Sequence, residues 1–321
     1  MKIGLIDADG HSNFPNLALM KISAWHKAKG DEVERFFPMS HYDRVYMSKV
    51  FDDSPDFETC INADEIIQGG RAYDKKVKLP LEIDNIYPDY DLYGIKNVAY
   101  GYLTRGCPWG CGFCDVQNIE GKFAYKVADL SQFWRGQKEI KLLDPNTLAY
   151  NGHMELLEQL GNSGAWVDFT QGLDAWLLTL ENVEMLSRIK VKMLHFAWDK
   201  ADEETTPYML WHLKKRTNID MRSLRVYVLT NYDTTHEQDF YRIYKLKELG
   251  YDPYVMIYDK SKFVTSKNRL RPMIELKKQF TDEQIEHFKV NWKMQRWVNN
   301  KFIFRSGQAE TFEDYLKGVK L

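Results

Sequence analysis

The sequence predicts an α/β protein in three parts: an N-terminal Rossmann-like parallel sheet, a partial (β/α)6 barrel of the TIM type, and a helical C-terminal segment. Three observations lead there. Short apolar runs alternate with helical stripes in two series along the 321 residues, a Pro- and Asp-rich stretch separates the series, and the tail changes composition. With 44% hydrophobic and 28% charged residues the chain can bury a sizeable core. That excludes disorder, collagen-like repeats and a disulfide scaffold.

The first series occupies residues 1–78. Ile3, Leu5 and Ile6 make residues 2–7 a strand, and Pro15 suits a helix start. Leu17, Leu19, Met20, Ile22 and Trp25 then recur at helical spacing until Gly30 stops them. Residues 32–37, 44–51 and 65–68 read as three further strands, the last stopped by Gly69 and Gly70. Strands alternating with helix signals imply a small parallel sheet of Rossmann type.

Residues 79–96 are rich in turn formers without periodicity and form a connector. The second series fills residues 97–260. Strands are expected at 98–104, 139–144, 165–169, 191–196, 224–229 and 253–257. Helices are expected at 128–137, 153–160, 179–189, 206–216 and 236–249. Six such units fit a parallel barrel whose ligands sit at the C-terminal strand ends.

The helical extension spans 261–321. Thr281 and Gln284 match a capping box, so a helix starts there and runs towards Asn299. Residues 260–305 hold twelve Lys/Arg and four Asp/Glu, a local net of +8 that leaves −10 elsewhere in a chain of net charge −2. Seven aromatics are interleaved with these cations: Phe263, Phe280, Phe288, Trp292, Trp297, Phe302 and Phe304. The pattern admits phosphate binding with base stacking, and equally a cap whose aromatics pack on the barrel; packing is the favoured expectation. No apolar run approaches the roughly 18 residues of a membrane span, and the start lacks a signal-peptide pattern. A cytoplasmic protein without membrane contact is expected.

Three of the four cysteines, Cys107, Cys111 and Cys114, fall within eight residues at C-x3-C-x2-C spacing. The loop RGCPWGCGFCD follows the first barrel strand and so sits at the barrel mouth. Its glycines let the backbone curl until three thiolates converge on one centre. Structural zinc sites close with four protein ligands, and the nearest other candidates, Cys60 and His153, are distant in sequence. An iron–sulfur cube held by three cysteines leaves one iron open. Cys60 itself reads as a small buried hydrophobe.

With Phe113 before the third cysteine, the pattern C-x3-C-x-aromatic-C resembles the signature of the radical S-adenosylmethionine (SAM) superfamily. The resemblance covers roughly residues 96–260. It implies a 4Fe–4S cluster on Cys107, Cys111 and Cys114 whose open iron chelates SAM. It also implies reductive cleavage of SAM to a 5′-deoxyadenosyl radical that abstracts hydrogen from a substrate the sequence does not name. A flavodoxin- or ferredoxin-like electron donor is implied, and a nucleoside or RNA substrate could be held by residues 260–305. Further SAM contacts should come from later strand ends. Asp144 and Asn146 replace the family's Gly-Gly-Glu-like turn, Gln171 and Asp174 follow the third strand, and Asp199 stands where relatives hold the ribose. Asn231 and Tyr258 are expected by position after the fifth and sixth strands, and Phe113 borders the adenine. With only Cys60 where methylthiotransferases carry three further N-terminal cysteines, and none after Cys114, the chain departs from them and from enzymes with auxiliary clusters.

The N-terminal unit resembles cobalamin-binding domains. Asp9, His11 and Asn16 match their fingerprint, Phe14 stands at a glycine position, and Ser48, Gly69 and Gly70 occupy the remaining places. If functional, His11 would ligate cobalt with Asp9 polarising its ring, and the glycines would admit the nucleotide tail. The bulky Phe14 argues against bound cobalamin. Two alternatives therefore stand beside a radical SAM enzyme: a cobalamin-dependent radical SAM methyltransferase, and a non-catalytic iron–sulfur or zinc protein that binds nucleic acid.

Overall fold

The computed structural model describes residues 1–10, 14–52, 54–306 and 308–318. Strands β1 (Lys2–Asp7), β2 (Glu32–Arg35), β3 (Tyr42–Ser48) and β4 (Ala63–Gly69) form an all-parallel sheet in the order β2-β1-β3-β4. Helix α1 (Leu17–Ala28) makes the crossover from β1 to β2. It starts at Asn16, whose side chain accepts the Leu19 N–H, and it is followed by Gly30 at φ 84°. Leu19 and Ile22 of α1 pack on Ile3 and Leu5 of β1. The Rossmann-like expectation needs correcting here. Residues 36–41 are too few for a crossover helix, and the β3–β4 connection contains none among the described residues. Phe36, Phe57 and Ile61 cover that face of the sheet instead, packing on Ile6, Tyr42, Val45 and Met47. Cys60 lies in this connection and is exposed, against its expected burial.

The connector holds a short helix α2 (Leu81–Asp84) and a 3-10 turn, Tyr90–Tyr93. Buried Tyr90 donates its hydroxyl to the Phe133 carbonyl at 2.8 Å and accepts the Tyr100 N–H at 3.0 Å, fixing the connector to the next strand.

That strand, β5 (Val98–Gly101), opens the second sheet. A two-stranded hairpin, β6 (Thr104–Arg105) with β7 (Tyr125–Lys126), brackets the cysteine loop and helix α3 (Val116–Glu120). Then come β8 (Glu139–Leu142), α4 (His153–Ser163), β9 (Trp166–Leu173), α5 (Leu180–Arg188), β10 (Val191–Ala197) and α6 (Thr205–Arg216). The series ends with β11 (Leu224–Thr230), α7 (His236–Glu248) and β12 (Asp252–Ile257). The six strands are all parallel, in the order β12-β11-β10-β9-β8-β5, so chain neighbours are sheet neighbours. This is consistent with the expected partial barrel. Val167, Phe169, Leu194, Phe196, Val226 and Val228 pack with Leu156, Leu186, Leu210 and Leu246 of the helices. By strand alternation Asp168, His195, Arg225 and Tyr227 face the other side of the sheet.

Reciprocal capping boxes start α5 at Thr179 and α7 at Thr235. The helix expected over 128–137 is absent. Asp129 caps a single 3-10 turn, Leu130–Gln132, and Gly136 at φ 93° turns the chain away.

The tail continues with α8 (Lys260–Phe263), α9 (Met273–Leu276), α10 (Asp282–Asn299), α11 (Lys301–Arg305) and α12 (Phe312–Gly318). The capping box between Thr281 and Gln284 forms as expected. Phe263, Phe288, Trp297 and Phe304 are buried in a second core with Ile243, Val255 and Ile257 of the last β-α unit. Each such side chain contributes about 1.5–3 kcal/mol on burial. Asp252, at the start of β12, binds Lys301 at 3.0 Å and Arg305 at 2.9 Å and so clamps α11 to the sheet. No helix among the described residues is long and apolar enough to cross a membrane.

Candidate functional site

The cysteine loop leaves β6 beside the C-terminal ends of the parallel strands. Its entry is Gly106, at φ 79°, where a Cβ would collide with the Phe123 carbonyl. Only glycine turns the chain here. Glu120 then accepts from the Gly106 N–H at 3.1 Å and from Arg105 at 2.9 Å. Gln117 donates to the carbonyls of Cys107 (3.2 Å) and Pro108 (2.9 Å). One turn of α3 therefore fixes the base of the loop.

Cys107 is partly buried, while Cys111 and Cys114 are exposed. Burial pushes the Cys107 and Cys111 thiols up, and each also feels the field of Cys114. For Cys107 the Trp109 N–H and the Asn146 amide pull the other way. Asn146 is 4% exposed; its Nδ2 lies 3.9 Å from the Cys107 sulfur, and its Oδ1 is buried without a hydrogen-bond partner among the described residues. The expected convergence of the three thiols on one centre is not seen: among the described residues no group of three or more His, Cys, Asp or Glu is placed to hold a metal ion. The fit to a cluster therefore rests on the chemistry of the donor set: three thiols on one short loop, with a buried acceptor beside Cys107 that has no partner among the described residues.

The structure distributes the other expected SAM contacts unevenly. Asp144 is buried and takes hydrogen bonds from the N–H groups of Leu103 (2.8 Å) and Thr104 (2.7 Å) and from the Thr104 hydroxyl (2.6 Å). Burial raises its pKa to about 6. Its carboxylate ties the end of β8 to the strand that launches the cysteine loop. Asp174 accepts from the Trp176 N–H at 2.9 Å and from the Trp109 indole, anchoring the middle of the loop to the end of β9. Gln171 is exposed on β9. Burial raises Asp199 to about 6, and its Oδ1 accepts the Leu229 N–H at 3.3 Å. Asn231 adopts φ 63° and donates to the Tyr258 carbonyl at 3.0 Å. Phe113 packs edge-on to Tyr232 at 5.4 Å, and Tyr232 on Tyr258 at 4.9 Å.

Several residues went unnoticed in the sequence. Trp109 and Tyr232 brace the loop, while Arg71 and Lys75 bind Asp115, directly after Cys114, at 2.7 and 2.9 Å. His195 gives its Nδ1 hydrogen to the Phe169 carbonyl at 3.0 Å and stacks on Tyr227 at 5.1 Å; burial lowers its pKa to about 4, so the ring is neutral. The signal for His195 and Asp168 was present: single polar residues between buried apolar ones in β10 and β9.

The cobalamin-like positions do not fit a corrin. Asp9 is spent on the Val50 and Phe51 N–H groups and the Ser54 hydroxyl. Ser48 accepts from the Asn16 amide at 2.8 Å. Gly70, at φ 97°, leaves room for the Lys49 backbone, and a Cβ on Gly69 would lie 3.6 Å from Val77, so both glycines serve the chain's own packing. Phe14 packs edge-on to Tyr100 at 6.0 Å. His11 lies outside the described residues.

No family model matches this chain. Among solved structures it is similar to SuiB of Streptococcus suis. With SuiB bound to S-adenosylmethionine the identity is 16% and the TM-score 0.41, covering 63% of this chain and 49% of that one. A second SuiB structure gives 14% and 0.39 over 68% and 50%. SuiB bound to precursor peptide SuiA gives 12% and 0.38 over 62% and 46%. The chain thus spans about half the length of the SuiB structures it matches.

Proposed function

We propose that this chain is a radical SAM enzyme, with Cys107, Cys111 and Cys114 holding a 4Fe–4S cluster. The observation that carries the reading is the site itself. A C-x3-C-x2-C loop sits at the C-terminal mouth of a six-stranded parallel sheet, and beside Cys107 lies a buried acceptor, Asn146 Oδ1, without a partner among the described residues. Cys107, Cys111 and Cys114 would hold the cluster, which would supply the one-electron reduction that cleaves SAM to methionine and a 5′-deoxyadenosyl radical for hydrogen abstraction from substrate.

The chain's own residues have distinct tasks. Asn146 would accept a hydrogen bond from the methionine ammonium. Asp199, held at the end of β10, would accept from ribose hydroxyls. Phe113 and Tyr232 would flank the adenine. Asp144, Asp174 and Glu120 act as positioning residues, because their oxygens are engaged in holding the loop. Cobalamin has no part in this proposal. A nucleic-acid-binding protein is also disfavoured, since among the tail aromatics Phe263, Phe288, Trp297 and Phe304 are buried and only Phe302 is largely exposed, at 71%.

The test is anaerobic reconstitution with iron and sulfide, followed by SAM and dithionite. Formation of 5′-deoxyadenosine, abolished by Cys107→Ala, Cys111→Ala or Cys114→Ala, is the expected result. A fully loaded chain that forms none would overturn the proposal.

A further inference from the structure

Away from the cysteine loop, a cavity of about 450 Å³ lies where the N-terminal sheet meets the first strand of the main sheet. It sits at the carboxyl ends of β1 and β2. Leu5, Ile6 and Asp7 of β1, Arg35 at the end of β2 and Tyr100 of β5 all line it. The volume is in the range of small-molecule sites and far below what a corrin needs.

The lining is chemically specific. Phe14, Phe57, Tyr93 and Tyr100 present aromatic rings, and Asp7 and Arg35 present opposite charges. Asp7 accepts the Tyr93 hydroxyl at 2.6 Å and the Asp9 N–H at 3.2 Å. Arg35 stacks on the Tyr93 ring at 4.8 Å and directs Nε and Nη2 to the Leu92 carbonyl at 3.3 and 3.2 Å. Among the described residues the two charges form no ion pair, with each other or with any third group. A net anion would meet Asp7 and a net cation would meet Arg35. A neutral ring with an acceptor edge and a donor edge satisfies both and stacks on the aromatics.

We propose that this cavity is a binding site for a neutral, planar heteroaromatic ligand of nucleobase size, its acceptor edge on Arg35 and its donor edge on Asp7. The site does not depend on the radical SAM reading.

Guanosine is the probe, because it offers an acceptor pair to an arginine and donors to a carboxylate. Calorimetric titration of the full chain should show saturable one-to-one binding. Arg35→Gln should weaken it at least tenfold. So should Gly10→Leu, which fills the cavity from a position where a Cβ meets only ordinary contact, 3.5 Å from the Asp7 carbonyl. Benzoate, an anionic ring without a donor edge, should bind at least tenfold more weakly than guanosine. Absence of saturable guanosine binding, equal binding by both variants, or equal binding of benzoate would each overturn the proposal. If Gly10→Leu fails to fold by circular dichroism, Arg35→Gln decides alone. Measuring 5′-deoxyadenosine in the same preparations keeps the two proposals apart: its absence with guanosine binding intact removes only the radical SAM reading.

Discussion

Arg242 offers the sharpest test of how the mouth of the main sheet is held. It is fully buried in α7, where Nη1 donates to the carbonyls of Trp198 (2.7 Å) and Asp199 (2.9 Å). Nη2 reaches the Leu229 carbonyl (2.8 Å) and the carboxylate of Asp239, also fully buried, at 2.5 Å. Arg242→Met keeps most of the apolar stem and removes the charge. Stranding the buried Asp239 costs about 3–5 kcal/mol, and each deserted carbonyl about 1 kcal/mol. The groups share one network, so these do not add; about 4 kcal/mol is the expected loss. Urea unfolding followed by tryptophan fluorescence measures it. Asp239→Asn and the double variant complete a cycle whose coupling should be about 2 kcal/mol or more, because the double variant leaves no orphaned charge. A single variant within about 1 kcal/mol of the parent, or no coupling, would refute the reasoning.

Three further outcomes are expected. Burial raises Asp199 from 3.8 to about 6, so the folded state holds that proton more tightly than the unfolded chain. The resulting stability is present below about pH 4 and lost as pH rises through 6. The unfolding free energy of the parent relative to Asp199→Asn should therefore fall by about 2 kcal/mol between pH 4 and 7, and a flat difference would contradict it. Gly106→Ala should lose more than half of the iron retained after reconstitution, because its φ of 79° and the Phe123 carbonyl both oppose a side chain. Gly110→Ala, whose nearest contact is 3.6 Å to Gln117, should retain it. Trp297→Ala should cost about 3–5 kcal/mol in urea unfolding, and Phe302→Ala within about 0.5 kcal/mol. Equal effects would contradict the second core.

What was legible in the sequence was local. The six strands of the main sheet stood out as short apolar runs bounded by turn formers, and Thr281 with Gln284 marked a helix start that the structure reproduces. The cysteine loop was legible because its three donors share eight residues. The supports of that loop were not, because they come from afar: Trp109 meets Asp174 across 65 residues, and Asp115 meets Arg71 across 44. Asp144 shows the same limit. Its position at the mouth was readable, but whether its oxygens face a ligand or the Thr104 backbone depends on how β6 returns past β8. Residues 128–137 hold enough apolar side chains for a helix, but the chain makes only the 3-10 turn Leu130–Gln132 before Gly136 turns it away. In the N-terminal unit a fingerprint matched by residue type, at Asp9 and Ser48, proved to be occupied by the chain's own loop contacts.

The central claim is that Cys107, Cys111 and Cys114 hold a cluster with one iron open to SAM. The direct measurement is electron paramagnetic resonance of the reconstituted, dithionite-reduced chain before and after SAM is added. The proposal predicts a 4Fe–4S signal that shifts when SAM binds and that is missing from Cys107→Ala. A loaded cluster whose signal is indifferent to SAM, or a chain that retains one zinc and no iron, would contradict it.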